Sequence, residues 1–293
     1  MRSVSLGDVL QSAATAARLE QLVRLARRVR SRRRGAFKLP GRGVEVGGRR
    51  DYVPGDDLRL VDWPAYARLE RMLLKVTEEQ PEPRLDLVLD GSASMQVGEP
   101  SPLLRAALAC AALAAVSTAR DVRVVLWWGG APLAQQALRR PSELPRLLRF
   151  MSGLRGVGAG DLRGAALLAA QRIRHAGAAL VLSDGLDERV GDAARRLRSR
   201  GCDTRVVLIE PRHELEELAQ AAFAEGGLAE LVDAETGARV LRPLGPVALA
   251  EARRARESRL RAEQARLEEQ GTPALRLPAA DPFEAIARTL LRA

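Results

Sequence analysis

What most constrains this chain is a series of short apolar runs after residue 83, alternating with segments of helical period. Leu85–Asp90 reads LDLVLD, Val122–Trp128 reads VRVVLWW, Ala178–Leu182 reads AALVL and Thr204–Ile209 reads TRVVLI. Between and after them stand Leu103–Ala119, Leu144–Met151, Leu162–His175 and Arg189–Arg200, whose apolar spacing or length is helical. Runs this short and this apolar fit strands buried on both faces, and their alternation with helices predicts an open, mostly parallel sheet covered on both faces. Ser101-Pro102 supplies a cap and a first-turn proline for the helix that follows. Pro132–Leu138, after Gly129-Gly130, reads as an edge strand. Leu228–Val232 and Arg239–Leu241 flank Glu235-Thr236-Gly237 as a small hairpin. Ala248–Gln270 is a long charged helix and Ala274–Leu277 a last strand, and Asp281-Pro282-Phe283-Glu284 resembles a capping box opening a final helix.

The first 80 residues read differently and are expected to form a helical and hairpin extension, with the α/β domain spanning 81–293. Residues 6–30 carry apolar positions at helical spacing, and Gly35 to Gly48 is a glycine-rich connector. A dense block follows: Pro54-Gly55 is turn chemistry, and Asp56, Asp57, Arg59, Asp62 and Arg68 crowd around Trp63. The plain structural expectation is a knot in which these carboxylates pair with Arg59 and Arg68 while Trp63 packs below. Met72 to Thr77 can form a strand, broken by Gln80-Pro81-Glu82-Pro83.

In open α/β sheets ligands bind beyond the carboxyl ends of the strands. Two carboxylates fall there, Asp90 and Asp184. Asp90 opens Asp90-Gly91-Ser92-Ala93-Ser94, a spacing that can aim Asp90, Ser92 and Ser94 at one point. Such oxygen donors suit a hard cation such as Mg²⁺ or Mn²⁺ that keeps several waters. The alternative is a capped turn, since serines and aspartates satisfy backbone N–H groups in many loops.

Enzyme signatures fare worse. A dehalogenase-type phosphatase wants a second aspartate where Ser92 stands and a downstream lysine, yet both lysines, Lys38 and Lys75, lie upstream. No Gly-x-x-x-x-Gly-Lys-Ser/Thr loop exists, and neither serine of the Asp90 loop sits in Gly-x-Ser-x-Gly. His175 and His213, the only histidines, have no motif around them and read as helix-end residues.

The net charge of +10 is almost wholly arginine, clustered at Arg24, Arg27, Arg28, Arg30, Arg32, Arg33 and Arg34. That run reads first as a solvated helix end; with 3% aromatic residues and none interleaved, stacking on single-stranded nucleic acid is disfavoured. No charge-free apolar run reaches about eighteen residues, so no membrane span is expected. Two isolated cysteines, Cys110 and Cys202, give neither a disulfide framework nor a zinc cluster. Together with an N-terminus that reads as an amphipathic helix, this predicts a cytoplasmic protein.

Tyr52-Val53-Pro54-Gly55-Asp56-Asp57-Leu58-Arg59, then Val61-Asp62-Trp63 and Ala67-Arg68, resembles the signature of a bacterial family catalogued as domain of unknown function fifty-eight. Lys75-Val76 with Glu78-Glu79 fits the same pattern, as do Leu231-Val232-Asp233 with Glu235-Thr236-Gly237 and the closing helix, strand and helix. The resemblance implies a von Willebrand factor A-like domain, a metal-ion-dependent adhesion-type motif starting at Asp90, and association with MoxR-type AAA+ ATPases. Related domains place a ligand threonine where Gly160 stands, within Gly158-Ala159-Gly160-Asp161-Leu162. Asp161 or water could compensate; the departure implies a weakened or vestigial metal site, and Gly160→Thr is the expected repair. The leading expectation is a non-enzymatic protein-binding adaptor with a cation held by Asp90, Ser92, Ser94 and Asp184. Nucleic-acid binding through the arginine run is the alternative, and a metal-dependent hydrolase ranks last.

Overall fold

The computed structural model describes residues 5–29, 46–77, 82–173, 177–186, 189–209, 228–243, 245–277 and 283. His175, His213, Arg30, Arg32, Arg33, Arg34, the connector up to residue 45 and the capping box at Asp281 lie outside the described residues. The chain divides into two compact units, Met1–Lys38 with Arg84–Ala293, and Leu39–Pro83. The division expected at residue 80 therefore shifts for the N-terminal helices, which group with the large sheet.

Those helices are α1 (Leu6–Leu10) and α2 (Ala13–Val29), where the sequence suggested one. Ser12 makes the break. Its hydroxyl donates to the Val9 carbonyl at 2.8 Å and accepts from the Thr15 amide at 3.2 Å, so it closes one helix and caps the next.

The small unit holds β1 (Val46–Asp51), α3 (Trp63–Leu69) and β2 (Leu73–Thr77), with β1 and β2 antiparallel. Its carboxylates do not form the expected knot. Asp56 takes a bidentate pair from Arg50 at 2.6 and 2.7 Å, Asp57 caps the turn at the Arg59 amide, and Asp62, buried, caps α3 at the Ala65 amide. Trp63 does not pack below: it is 55% exposed and meets Tyr66 edge to face at 6.2 Å.

The large unit continues with β3 (Arg84–Asp90), α4 (Pro102–Thr118), β4 (Arg123–Gly129), β5 (Ala134–Leu138), α5 (Leu144–Ser152), α6 (Leu162–Arg172), β6 (Ala178–Ser183), α7 (Arg189–Arg198) and β7 (Asp203–Ile209). The hairpin β8 (Leu228–Val232) and β9 (Arg239–Pro243), then α8 (Pro246–Glu269) and β10 (Ala274–Leu277), complete it. The sheet is six-stranded in the order β10-β7-β6-β3-β4-β5, parallel throughout except for the antiparallel edge β5. The fold is therefore mixed α/β, a mostly parallel sheet flanked by helices, as the alternating runs predicted.

Strand alternation sorts the core. Val88, Val125, Trp127, Val181, Val206 and Leu208 pack with the alanines of α6 and α7. Leu87, Leu89 and Leu126, on the opposite parity, are fully buried. Helix α4 is apolar nearly all round because it touches the sheet on one side and α2 on another. Polar groups interrupt this core, Arg105 of α4 and Asp86 of β3 among them. Asp86, inside the apolar run of β3, is buried, accepts from the Trp127 indole at 2.7 Å and holds Arg84 bidentately at 2.7 and 2.8 Å. Arg84 also donates to the Arg172 carbonyl, and the Arg172 guanidinium lies 5.8 Å from the centroid of the Trp127 ring.

Candidate functional site

The parallel strands β3 and β6 are hydrogen-bonded neighbours, so their carboxyl ends lie side by side. Asp90 is the last residue of β3 and Asp184 follows the last residue of β6; both are buried. The proximity has an electrostatic signature. Burial pushes the Asp90 carboxyl up to about 6, and the neighbouring Asp184 adds to the rise against hydrogen bonds from Ser183 and Ser92 that oppose it.

Asp90 is held at both oxygens. Its Oδ1 accepts from the Ser92 amide at 2.9 Å and its Oδ2 from the Ser183 hydroxyl at 2.6 Å. Ser183 in turn accepts from the Gly185 amide, and Asp184 Oδ1 accepts from the Leu186 amide at 3.1 Å. Ser92 and Ser94 hydroxyls lie 3.0 Å apart at the head of a 3-10 turn over Ala93–Gln96 that plants Met95 in the core. Asp90, Ser92 and Ser94 thus share one tight loop, and Asp184 stands on the adjacent strand end. Ser183, which sequence reading passed over, is the side chain that orients Asp90; its only sequence signal is its place just before the strand-end aspartate.

The loop before α6 packs on this one. The Ala93 amide donates to the Gly158 carbonyl at 2.8 Å, the Val157 amide to the Gly91 carbonyl at 3.1 Å, and the Asp161 amide to the Gly129 carbonyl at 2.7 Å. Glycines make the approach possible. A Cβ on Gly91 would overlap the backbone of Gly130, and one on Gly156 would overlap the Ser92 carbonyl. Gly160 has φ +62°, and a Cβ there would lie 2.8 Å from both the Gly129 oxygen and the Ser92 nitrogen. The expected repair by threonine therefore fails on space: this position is a backbone contact, with no room for a ligand side chain. Asp161 is exposed, and its carboxylate caps α6 by accepting from the Gly164 amide at 2.8 Å. The turn between β8 and β9 approaches from another side, with the Glu235 carbonyl 3.9 Å from the Cβ position of Gly158. Among the described residues, no group of three or more His, Cys, Asp or Glu side chains is placed to hold a metal ion. The donor set at the strand ends is two carboxylates and two hydroxyls.

The family model described as a protein of unknown function, DUF58, matches residues 48–265, from within β1 into α8. The chain belongs to the DUF58 family. No curated protein matches it in sequence. Among solved structures, this DUF58 chain is similar to an aerotolerance-related membrane protein from Bacteroides fragilis NCTC 9343 bearing multiple mutations to serine. That likeness has 18% identity and a TM-score of 0.43 over 72% of this chain and 100% of the other. The conserved hypothetical protein BatB from Bacteroides thetaiotaomicron aligns over the same shares at 16% identity and a TM-score of 0.41. The pilus adhesin SpaC from Lactobacillus rhamnosus GG, in its open conformation, aligns over 73% of this chain and 30% of its own at 10% identity, TM-score 0.42. With TM-scores this low, none of the three decides the architecture or activity of the DUF58 chain. No described helix is long and apolar enough to cross a membrane.

Proposed function

We propose that this DUF58 protein is a non-enzymatic adaptor on a von Willebrand factor A-like fold, binding partner proteins through a cation at the carboxyl ends of β3 and β6. The carrying observation is the pair of buried carboxylates, Asp90 and Asp184, beside the Ser92 and Ser94 hydroxyls. The donor set fits a hard ion: all four groups offer oxygen, and the Asp90 carboxylate, whose proton affinity is raised by burial and by the neighbouring Asp184, gains from a divalent cation. Mg²⁺ or Mn²⁺, when bound, supplies an open coordination position for a partner's Asp or Glu. The Ser92 amide and Ser183 hydroxyl fix the Asp90 carboxylate, and the glycine contacts to the Gly158–Asp161 loop hold the face in shape. With Gly160 contributing no hydroxyl, the protein's share of the shell is small and the ion is weakly held.

The resemblance carried by the Tyr52–Arg68 block makes a MoxR-type AAA+ ATPase the partner, directly or on a shared client. The sequence has no nucleotide-binding loop of its own, so energy-requiring work falls to such a partner. Calorimetric titration with Mn²⁺ tests the ion: wild type should bind and Asp90→Ala should not, and equal binding by the two sinks the site. Reconstitution with the ATPase from the same genome, with Mg²⁺ and nucleotide, tests the partner. The complex should dissolve with chelator, and its absence under all conditions removes this partner.

A further inference from the structure

Helices α6 and α7 flank an open cleft of about 430 Å³ on their solvent-facing side. Arg163 and Leu167 of α6 line it, with Asp192, Arg195 and Arg196 of α7 and Ser199 just beyond. Its charge is unbalanced. Arg163 lies 3.5 Å and Arg195 3.2 Å from the two oxygens of Asp192, so one carboxylate serves two guanidiniums. Arg196 has no ion pair among the described residues, and the cleft keeps a net charge of +2 from three arginines and one aspartate. The Ser199 hydroxyl is spent on the Arg196 carbonyl at 2.7 Å, so the side-chain donors facing an occupant are guanidinium N–H groups. Leu167, 38% exposed, leaves an apolar wall.

We propose that this cleft docks an acidic segment of a protein partner, with carboxylates set on Arg163 and Arg196 and an aliphatic side chain between them on Leu167. Guanidinium forks match carboxylates bidentately, and the volume suits a few side chains rather than a folded surface. A bare phosphate ion fits less well. It gains nothing from Leu167, and the Asp192 carboxylate repels its double charge more than a single one. Single-stranded nucleic acid would meet no aromatic side chain among the lining residues. Binding in this cleft needs no metal.

The test is fluorescence anisotropy of a labelled peptide of Glu and Leu residues, with the full chain, at low salt and with chelator present. The Arg163→Ala/Arg196→Ala variant should bind about tenfold more weakly. Arg149→Ala/Arg254→Ala, exposed positions on α5 and α8 with the same change in net charge, should stay within about twofold. Equal losses in the two variants mean a diffuse basic surface and overturn the proposal. Tighter binding of inorganic phosphate or a DNA oligonucleotide at the cleft, read by competition, overturns the occupant. Should the double variant fail to fold by circular dichroism, Asp192→Asn decides, because it removes the one repelling carboxylate. Tighter peptide binding supports the cleft, and unchanged or weaker binding overturns it. Asp90→Asn should leave peptide binding intact, which keeps this result distinct from failure of the cation site.

Discussion

Gly160→Ala is the perturbation that separates a missing ligand from a tight backbone contact. Two costs add at this position. An alanine held at φ +62° pays roughly 1–2 kcal/mol for left-handed backbone. Its Cβ would also stand 2.8 Å from the Gly129 oxygen and Ser92 nitrogen and 2.9 Å from the Gly91 carbon, all backbone atoms tied into strand ends. Reaching ordinary contact near 3.5 Å means moving one loop by about half an ångström or more, and overpacking of this kind costs about 1–3 kcal/mol. The expected loss is about 2–5 kcal/mol for alanine and more for the branched threonine. Urea denaturation reads it as a lower midpoint at unchanged slope. Mn²⁺ should not rescue Gly160→Thr. A threonine variant as stable as wild type, or one that binds Mn²⁺ more tightly, would refute the contact argument and restore the reading of Gly160 as a lost ligand.

Asp86→Ala strips Arg84 and the Trp127 indole of a buried acceptor at once, and should cost about 3 kcal/mol or more in urea unfolding. A loss under about 1 kcal/mol would mean water replaces the carboxylate. In chelator, the raised Asp90 value, about 6 against an ordinary 3.8, carries a definite sign. The folded state favours the protonated acid, so this group's contribution to stability is greatest below about 4 and is lost as pH rises through about 6. Asp90→Asn should flatten that slope and be no less stable than wild type at neutral pH; an unchanged pH profile would count against it. Glu257 runs the other way. Hydrogen bonding to Arg276, more than to Arg261, holds it down at about 2 against an ordinary 4.5. Its contribution is present above about 4.5 and lost as pH falls through about 2, so the melting difference between wild type and Glu257→Gln should vanish over that window.

What the sequence revealed and what it hid divide along chain distance. Strand period and length are local, so LDLVLD, AALVL and TRVVLI marked β3, β6 and β7 within a residue or two, and the Asp90 loop and Asp184 fell at the carboxyl ends of strands, where open parallel sheets bind ligands. Asp86 looked like one polar letter in an apolar run because its partner Trp127 is 41 residues away on β4. Ser183 was invisible for the same reason, 93 residues from the carboxylate it orients. Trp63 misled in the opposite sense. A tryptophan in a dense polar block suggests a buried anchor, yet α3 is seven residues long and turns that ring outward. Gly160 misled because a family pattern records which ligand is absent, whereas only the packed loops record what its Cβ would strike.

The proposed cation face and the proposed arginine cleft would answer opposite conditions, and that follows from how each charge is housed. Asp90 and Asp184 are buried, so salt screens them weakly and competition must come from chelation or protonation. Arg163 and Arg195 are about two-thirds exposed, so their attraction to an acidic segment is steered from a distance and fades beyond about 8 Å at physiological salt. A partner engaging both would be recruited by the arginines and retained by the ion. Salt would then slow its arrival while leaving its departure nearly unchanged, and chelator would speed its departure while leaving its arrival nearly unchanged. Association and dissociation rates measured separately against salt and against chelator resolve the two. A partner whose arrival and departure respond together to both agents is using a single contact.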